Sequence, residues 1–172
     1  FSTSHGAPTS LMLTSAQARE GKSTTAMALA QALASVGARV LLIDADMRNP
    51  SIHKLLQRPL GSGLSNLLTG QGDLDSLVQE GSVPNLWVLM AGHIPPNPAE
   101  LLSAGTIDQV IRDATSKFDH VIIDGPPVLG LADAPLLTRV VEATVLVVES
   151  GRTRATQARH AIERLLAVRG NV

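Results

Sequence analysis

Leu11-Met12-Leu13-Thr14-Ser15-Ala16-Gln17-Ala18-Arg19-Glu20-Gly21-Lys22-Ser23-Thr24-Thr25 begins as an apolar strand, breaks into a loop and resumes as a helix. Gly21-Lys22-Ser23 is its centre. Binding a polyphosphate takes backbone N–H donors, a flexible cation and a hydroxyl for the accompanying metal, and a loop that opens a helix can supply all three. Gly21 lets the backbone come close, Lys22 would reach the β- and γ-phosphates as a point charge, Ser23 would offer its hydroxyl to Mg²⁺, and Thr24 would lie near the α-phosphate. The first position of the usual G-x-x-x-x-G-K-[ST] is Ala16 here. Ordinary strand-to-helix turns also contain Gly-Lys-Ser. The reading therefore leans on the strand before it, the helical run over 23–36 behind it, and two acidic strand ends further on.

That helical run spaces its apolar residues through Ala28, Leu29, Leu33 and Val36, and Gly37 supplies the stop. Its many alanines suit close packing on a sheet. Residues 39–44, RVLLID, form a continuous apolar stretch of the kind buried on both faces of a parallel sheet, and it ends in acid. Asp44-Ala45-Asp46-Met47-Arg48-Asn49-Pro50 follows. Two carboxylates at i and i+2 after a buried strand are costly unless they meet a metal, a cation or a partner hydroxyl. The plainer alternative is that Asp46 and Arg48 only cap the next element and pair on the surface. Parallel strand ends converge on one sheet edge, however, which brings these acids beside Lys22 and Ser23. DHVIID, residues 119–124, is a second apolar run ending in acid, followed by Gly125-Pro126-Pro127. A strand-end Asp opposite a phosphate loop holds Mg²⁺ directly or through water; the plain alternative for Asp124 is a turn cap.

The remaining chain fills in around these stretches. Residues 1–10 read as an incoming linker and 51–56 as a short helix with Ser51 as N-cap. Residues 61–81 read as an excursion between strands, with Gly61, Gly63, Gly70 and Gly72 as hinges or turns and the leucines as packing. Strands are expected at 86–90, where Trp87 packs in the core or at an edge, and at 143–149. Pro95 to Leu102 is a stiff connection with Pro98 at a helix start, placed to form a wall of the cleft. Further helices are expected over 106–117, 134–140 and 154–168. Five strands alternating with helices make this an α/β protein with a doubly wound, mostly parallel sheet, in one domain across 1–172. The chain opens on Phe1 and stops just after a helical pattern, so a longer protein with a final strand beyond Asn171 is expected.

Composition excludes several alternatives. A formal net charge of -1 provides no global field for nucleic acid or acidic membrane. No cysteine occurs, which removes disulfide scaffolds, thiolate catalysis and Cys-based zinc sites. Two Phe, one Trp and no Tyr cannot make a base-stacking platform, so nucleic acid is not an expected partner. The five histidines are scattered and none pair at metal spacing. No apolar run approaches the roughly 18 residues that span a bilayer. Arg152, Arg154, Arg159, Arg164 and Arg169 stand against Glu163 alone, as a solvated basic face or as a contact to nucleotide, subunit or acidic partner.

The phosphate loop, LLIDADMRNP and VIIDGPP occur in the order found in the P-loop ATPases called bacterial tyrosine kinases, or BY-kinases, of capsular and exopolysaccharide systems. The chain resembles that family from about Leu11 to its end, the connecting PPNPAELL and DAPLLTRVVEATVLVV included. Asp44-x-Asp46-x-Arg48-x-Pro50 is the specific mark; the related Min and Par partitioning ATPases read differently there and carry a lysine early in the loop, where this chain has Gln17. The resemblance implies a P-loop NTPase fold that uses ATP and Mg²⁺, with Ala16, Arg19, Glu20, Gly21, Lys22, Ser23 and Thr24 around the nucleotide. It implies that Ser23, Asp44, Asp46 and Asp124 surround the metal, and that Lys22, Asp44 and Asp46 are catalytic. One of Asp44 and Asp46, with Asp44 as the first choice, would take the proton from a tyrosine hydroxyl attacking the γ-phosphate. Partners implied are further copies in a ring, a membrane-embedded polysaccharide co-polymerase region in the same or another polypeptide, and a cognate tyrosine phosphatase. The implied location is a cytoplasmic domain tethered to the bacterial inner membrane.

Three departures qualify the resemblance. The family's Pro-Gly before Glu-Gly-Lys is Ala18-Arg19, and Arg19 either adds a phosphate contact or hinders the turn a glycine would make. With no tyrosine here, autophosphorylation needs an acceptor in a tail or another protein. The family's arginine-bearing N-terminal helix would precede Phe1. A second function class therefore stands beside the kinase: a nucleotide-gated assembly ATPase that changes oligomer state without transferring phosphate to protein.

Overall fold

A computed structural model describes residues 7–103, 105–168 and 172. Residues 1–6 of the linker expected over 1–10, and Arg169 of the basic face, lie outside these residues. The order is β1 (Ser10–Ser15), α1 (Lys22–Ser35), β2 (Val40–Asp44), α2 (Ile52–Leu55), α3 (Leu64–Leu68), α4 (Leu74–Leu77), β3 (Gln79–Glu80), β4 (Leu86–Leu89), α5 (Pro98–Ser103), α6 (Thr106–Lys117), β5 (His120–Asp124), α7 (Asp133–Thr138), β6 (Ala143–Val147) and α8 (Ala155–Leu166). One six-stranded sheet runs β3-β4-β2-β5-β1-β6, parallel except for β3.

The apolar strands are buried because helices cover both faces. Alternate residues feed two cores. Met12, Leu41, Ile43, Val121 and Ile123 pack with Ile107, Val110 and Ile111 of α6, while Leu11, Leu13, Val40, Leu42 and Ile122 pack with Ala26, Ala30 and Ala34 of α1. Those alanines, each four residues from the next, let α1 lie close to the sheet. Trp87 meets Phe118 with ring centroids 5.5 Å apart, at the packing role expected of it. Gly63 and Met90 show how closely the excursion is seated: a Cβ on Gly63 would stand 2.1 Å from the Met90 carbonyl oxygen. Among the described residues no helix is long and apolar enough to cross a membrane.

The sixth strand was not legible in the sequence. Two residues carry no alternation to read, and β3 exists only because it pairs antiparallel with β4, Gln79 opposite Val88 and Glu80 opposite Trp87. Arg58 donates from Nη1 to the Glu80 carbonyl oxygen at 2.7 Å, occupying a backbone acceptor on this edge strand.

The parallel register sets the site. Asp44 lies directly beside Asp124, and Asp124 beside Leu13, so β2, β5 and β1 end together at the edge where the phosphate loop begins.

Candidate nucleotide site

Between β1 and α1 the chain turns through Gly21 at φ +85°, a left-handed conformation that glycine adopts without a Cβ penalty. The Thr25 N–H donates to the Gly21 carbonyl at 2.9 Å and starts the helix. A cleft of about 310 Å³ opens over this N-terminus, walled on one side by Arg19, Gly21, Lys22, Ser23 and Thr24 and on the other by Asp46, Asn49, Ser51 and Leu55.

Lys22 bridges the two walls. Its Nζ lies 3.1 Å from Asp46 Oδ2 and 3.3 Å from Asp124 Oδ1, with the Lys22 side chain only 8% exposed. Burial alone would lower the ammonium's pKa, but Asp124 and then Asp46 reverse the effect and hold it above its ordinary value. Burial likewise raises the Asp124 carboxyl, against the pull of Lys22 and the Ser23 hydroxyl. One oxygen of Asp124, Oδ2, is buried without a hydrogen-bond partner.

Asp44 has a different environment. Its Oδ2 accepts the Ser51 and Ile52 N–H groups, both at 3.0 Å, and its Oδ1 accepts the Asp46 N–H at 3.2 Å. Burial first, and the neighbouring Asp124 charge second, push its pKa to about 7 despite those donors. Ser51 holds the N-cap position expected of it, but the Asp44 carboxylate does the capping, and the Ser51 hydroxyl donates to Ser23 Oγ at 2.7 Å instead. A side chain already turned toward the phosphate loop cannot also reach back over its own helix.

Other expected site residues separate. Arg48 does not pair with Asp46; it reaches Asp133 of α7. Ala16 is fully buried against Val128 and Ala134 and is not on the cleft wall. Glu20 is also turned away: its Oε2 accepts the Gln17 N–H at 2.8 Å and its Oε1 accepts the Thr153 hydroxyl. The Pro126 carbonyl accepts from Thr14 Oγ1 at 2.6 Å, and the Val128 and Leu129 N–H groups donate to Ser15 and Ala16, so the segment after Asp124 runs along the loop's floor. Gly125 fits there because a Cβ would stand 2.8 Å from Met12 Sδ.

The sequence reading did not place Asn49, Ser51 or Leu55 on the cleft, nor Thr153 and Arg152 beside the loop. Ser51 carried a usable signal, two residues beyond Asn49 in the acidic stretch. Arg152 stood out only as one of a basic set and Thr153 not at all, because only the β1–β6 pairing, Ser15 opposite Val147, brings that turn to the phosphate loop.

Among the described residues no group of three His, Cys, Asp or Glu is arranged to hold a metal by itself. Of the three carboxylates expected around a cation, Asp46 and Asp124 face Lys22, while Asp44 accepts backbone donors on both oxygens. What remains suits Mg²⁺ in the manner of nucleotide sites, where one or two protein oxygens act together with phosphate. The orphaned Asp124 Oδ2, the Ser23 hydroxyl and two carboxylates facing one ammonium form a donor set short of positive charge.

A model of the AAA domain matches residues 17–167. A tyrosine-protein kinase of Bacillus subtilis, YwqD, is 44% identical over 156 residues, covering 91% of this chain and 66% of its own length. The putative tyrosine-protein kinase CapB of Staphylococcus aureus is 33% identical over 172 residues, covering all of this chain and 75% of its own. The solved kinase domain of the Escherichia coli tyrosine kinase ETK superposes with a TM-score of 0.91 at 33% identity, over 95% of this chain and 64% of that one. The chain thus spans about two thirds of the Bacillus relative's length.

Proposed function

The chain belongs to the family of bacterial tyrosine-protein kinases built on the P-loop ATPase fold, and from that membership we propose that it transfers the γ-phosphoryl group of ATP to a protein tyrosine. The observation that carries the reading is Lys22, set on the cleft between Asp46 and Asp124 at 3.1 and 3.3 Å. When bound, Mg-ATP supplies the phosphoryl group and the cation that neutralises its oxygens. Gly21 and the first N–H groups of α1 bind phosphate, Lys22 adds a mobile positive charge, and Ser23 with Asp124 Oδ2 holds the metal side.

The proton acceptor for the tyrosine hydroxyl is Asp46 rather than Asp44. Asp46 is on the cleft wall, its Oδ2 beside Lys22 and its Oδ1 accepting the Asn49 N–H, whereas Asp44 is fully buried behind it and does not line the cleft. Asp44 organises the loop that presents Asp46. Catalysis of this kind is mostly positioning and charge stabilisation, so small shifts of these groups matter.

No tyrosine occurs in the 172 residues, so the acceptor belongs to a tail of the longer protein or to another protein. We place the chain as the cytoplasmic part of an inner-membrane-tethered assembly that controls capsule or exopolysaccharide polymerisation and export. Its further partners are copies of itself in a ring, a polysaccharide co-polymerase region, and a tyrosine phosphatase that reverses the modification. The missing tyrosine also favours a second reading, a nucleotide-gated assembly ATPase.

One experiment separates the two. The longer protein is incubated with Mg²⁺ and γ-labelled ATP, and labelled residues are mapped by mass spectrometry. Label on tyrosine, abolished by Lys22→Met, supports the kinase. ATP-dependent assembly with no label in any tyrosine-containing form supports the assembly ATPase.

A further inference from the structure

We propose that the turn joining β6 to α8 is a brace for the phosphate loop, with Thr153 and Arg152 as positioning residues that act on nucleotide affinity through Glu20 and Arg19. The inference rests on the nucleotide-binding reading above and adds residues to it from a distant part of the chain.

Two features of the loop call for such support. Arg19 sits at φ +67°, in the left-handed region that a residue with a Cβ adopts only at a cost. Glu20 puts a carboxylate on a loop that binds a polyanion, where a free negative charge would repel the ligand.

The turn answers both. Arg152 Nη1 donates to the Arg19 carbonyl at 3.1 Å, and the same nitrogen lies 3.0 Å from Glu149 Oε2, which aims it. Thr153 donates its hydroxyl proton to Glu20 Oε1 at 2.5 Å; its oxygen accepts the Glu149 N–H at 2.9 Å, which leaves the proton for Glu20 alone. The other Glu20 oxygen accepts the Gln17 N–H at 2.8 Å, so the carboxylate is held inward, 4% exposed and off the cleft wall. The turn is itself closed by Arg152 and Thr153 N–H groups on the Glu149 carbonyl, at 3.1 and 2.9 Å. Because β6 pairs directly with β1, with Ser15 opposite Val147, the turn leaves the sheet beside the loop it supports.

The test reads the loop and the ligand separately. In nucleotide-free protein, Thr153→Val should speed hydrogen exchange at the Gln17 amide about tenfold, with the melting temperature measured alongside to confirm folding. The same variant should weaken Mg-ATP binding about tenfold and Arg152→Ala about threefold, while Thr153→Ser, which keeps the hydroxyl, stays within about twofold of wild type. In an Arg19→Gly background, Arg152→Ala should cost less than about twofold, since glycine holds a left-handed conformation unaided. Unchanged Gln17 exchange in Thr153→Val, or faster exchange with unchanged Mg-ATP affinity, overturns the brace while leaving the kinase reading intact. Failure of wild type itself to bind Mg-ATP, with Lys22→Met indistinguishable from it, sinks the nucleotide reading and the brace's purpose together.

Discussion

Arg48 and Asp133, 85 residues apart in sequence, meet in a two-pronged ion pair: Nε lies 2.6 Å from Oδ2, and Nη2 3.2 Å from Oδ1. The contact ties the acidic loop after β2 to the first turn of α7, and Asp133 is buried while Arg48 is partly open to solvent. A planar fork suits this geometry and an ammonium does not. Arg48→Ala strands a buried carboxylate and should lower unfolding free energy by about 2–3 kcal/mol, and Arg48→Lys should restore no more than about half of that. Urea unfolding of both variants, with Asp133→Ala and the double variant Arg48→Ala/Asp133→Ala closing the cycle, decides it; a double-variant loss equal to the sum of the two single losses would mean that no coupling exists.

Lys22→Met should reduce phosphotransfer by about a thousandfold or more, since it removes the cleft's mobile positive charge. It should also carry a pH signature in the ligand-free protein. Asp124's folded pKa is already raised by burial, and losing Lys22 raises it further. A carboxyl whose folded pKa is raised stabilises the fold while protonated, and that contribution is lost as pH rises. The stability deficit of Lys22→Met relative to wild type should therefore be larger at about pH 8 than at about pH 5. A deficit that grows on acidification contradicts the charge balance described for the site.

Asp44 should make the ligand-free protein less stable as pH climbs toward neutrality. Its folded pKa of about 7 exceeds its ordinary 3.8, so the associated stabilisation is fully present below about 3.8 and disappears through about 7. The size is on the order of a few kcal/mol. Asp44→Asn carries no such proton and should flatten the slope between those limits. Parallel stability-versus-pH curves for the two proteins would remove Asp44 as its source.

Gly63→Ala and Gly125→Ala should differ in severity. A Cβ at Gly63 would meet the Met90 carbonyl oxygen at 2.1 Å, backbone that cannot yield, and about 3 kcal/mol or more should be lost. At Gly125 the obstacle at 2.8 Å is the Met12 sulfur, on a side chain that can turn, and about 1–2 kcal/mol suffices. Thermal unfolding ranks them; the reverse order would show that the Met12 packing is the more rigid of the two.

The phosphate loop, the acidic end of β2 and the acidic end of β5 were all legible because each couples a continuous apolar run to residues that burial would otherwise penalise. Parallel pairing then fixed their meeting place, Asp44 opposite Asp124. The division of labour among the carboxylates was not legible. Asp44 and Asp46 are two residues apart and chemically identical, and only the Ser51 and Ile52 N–H groups, supplied by a turn seven and eight residues on, make the first a cap and leave the second on the cleft. Contacts made across sheet neighbours, such as Thr153 with Glu20, depend on strand order, which no local pattern encodes.

At its β3 margin the sheet offers little backbone for further pairing. That strand is two residues long, runs against its neighbour, and has the Glu80 carbonyl already taken by Arg58. β6, among the described residues, has a strand on one flank only. Among the described residues, β6 is thus the longer of the two free margins, and the one with more backbone for a further strand to pair with.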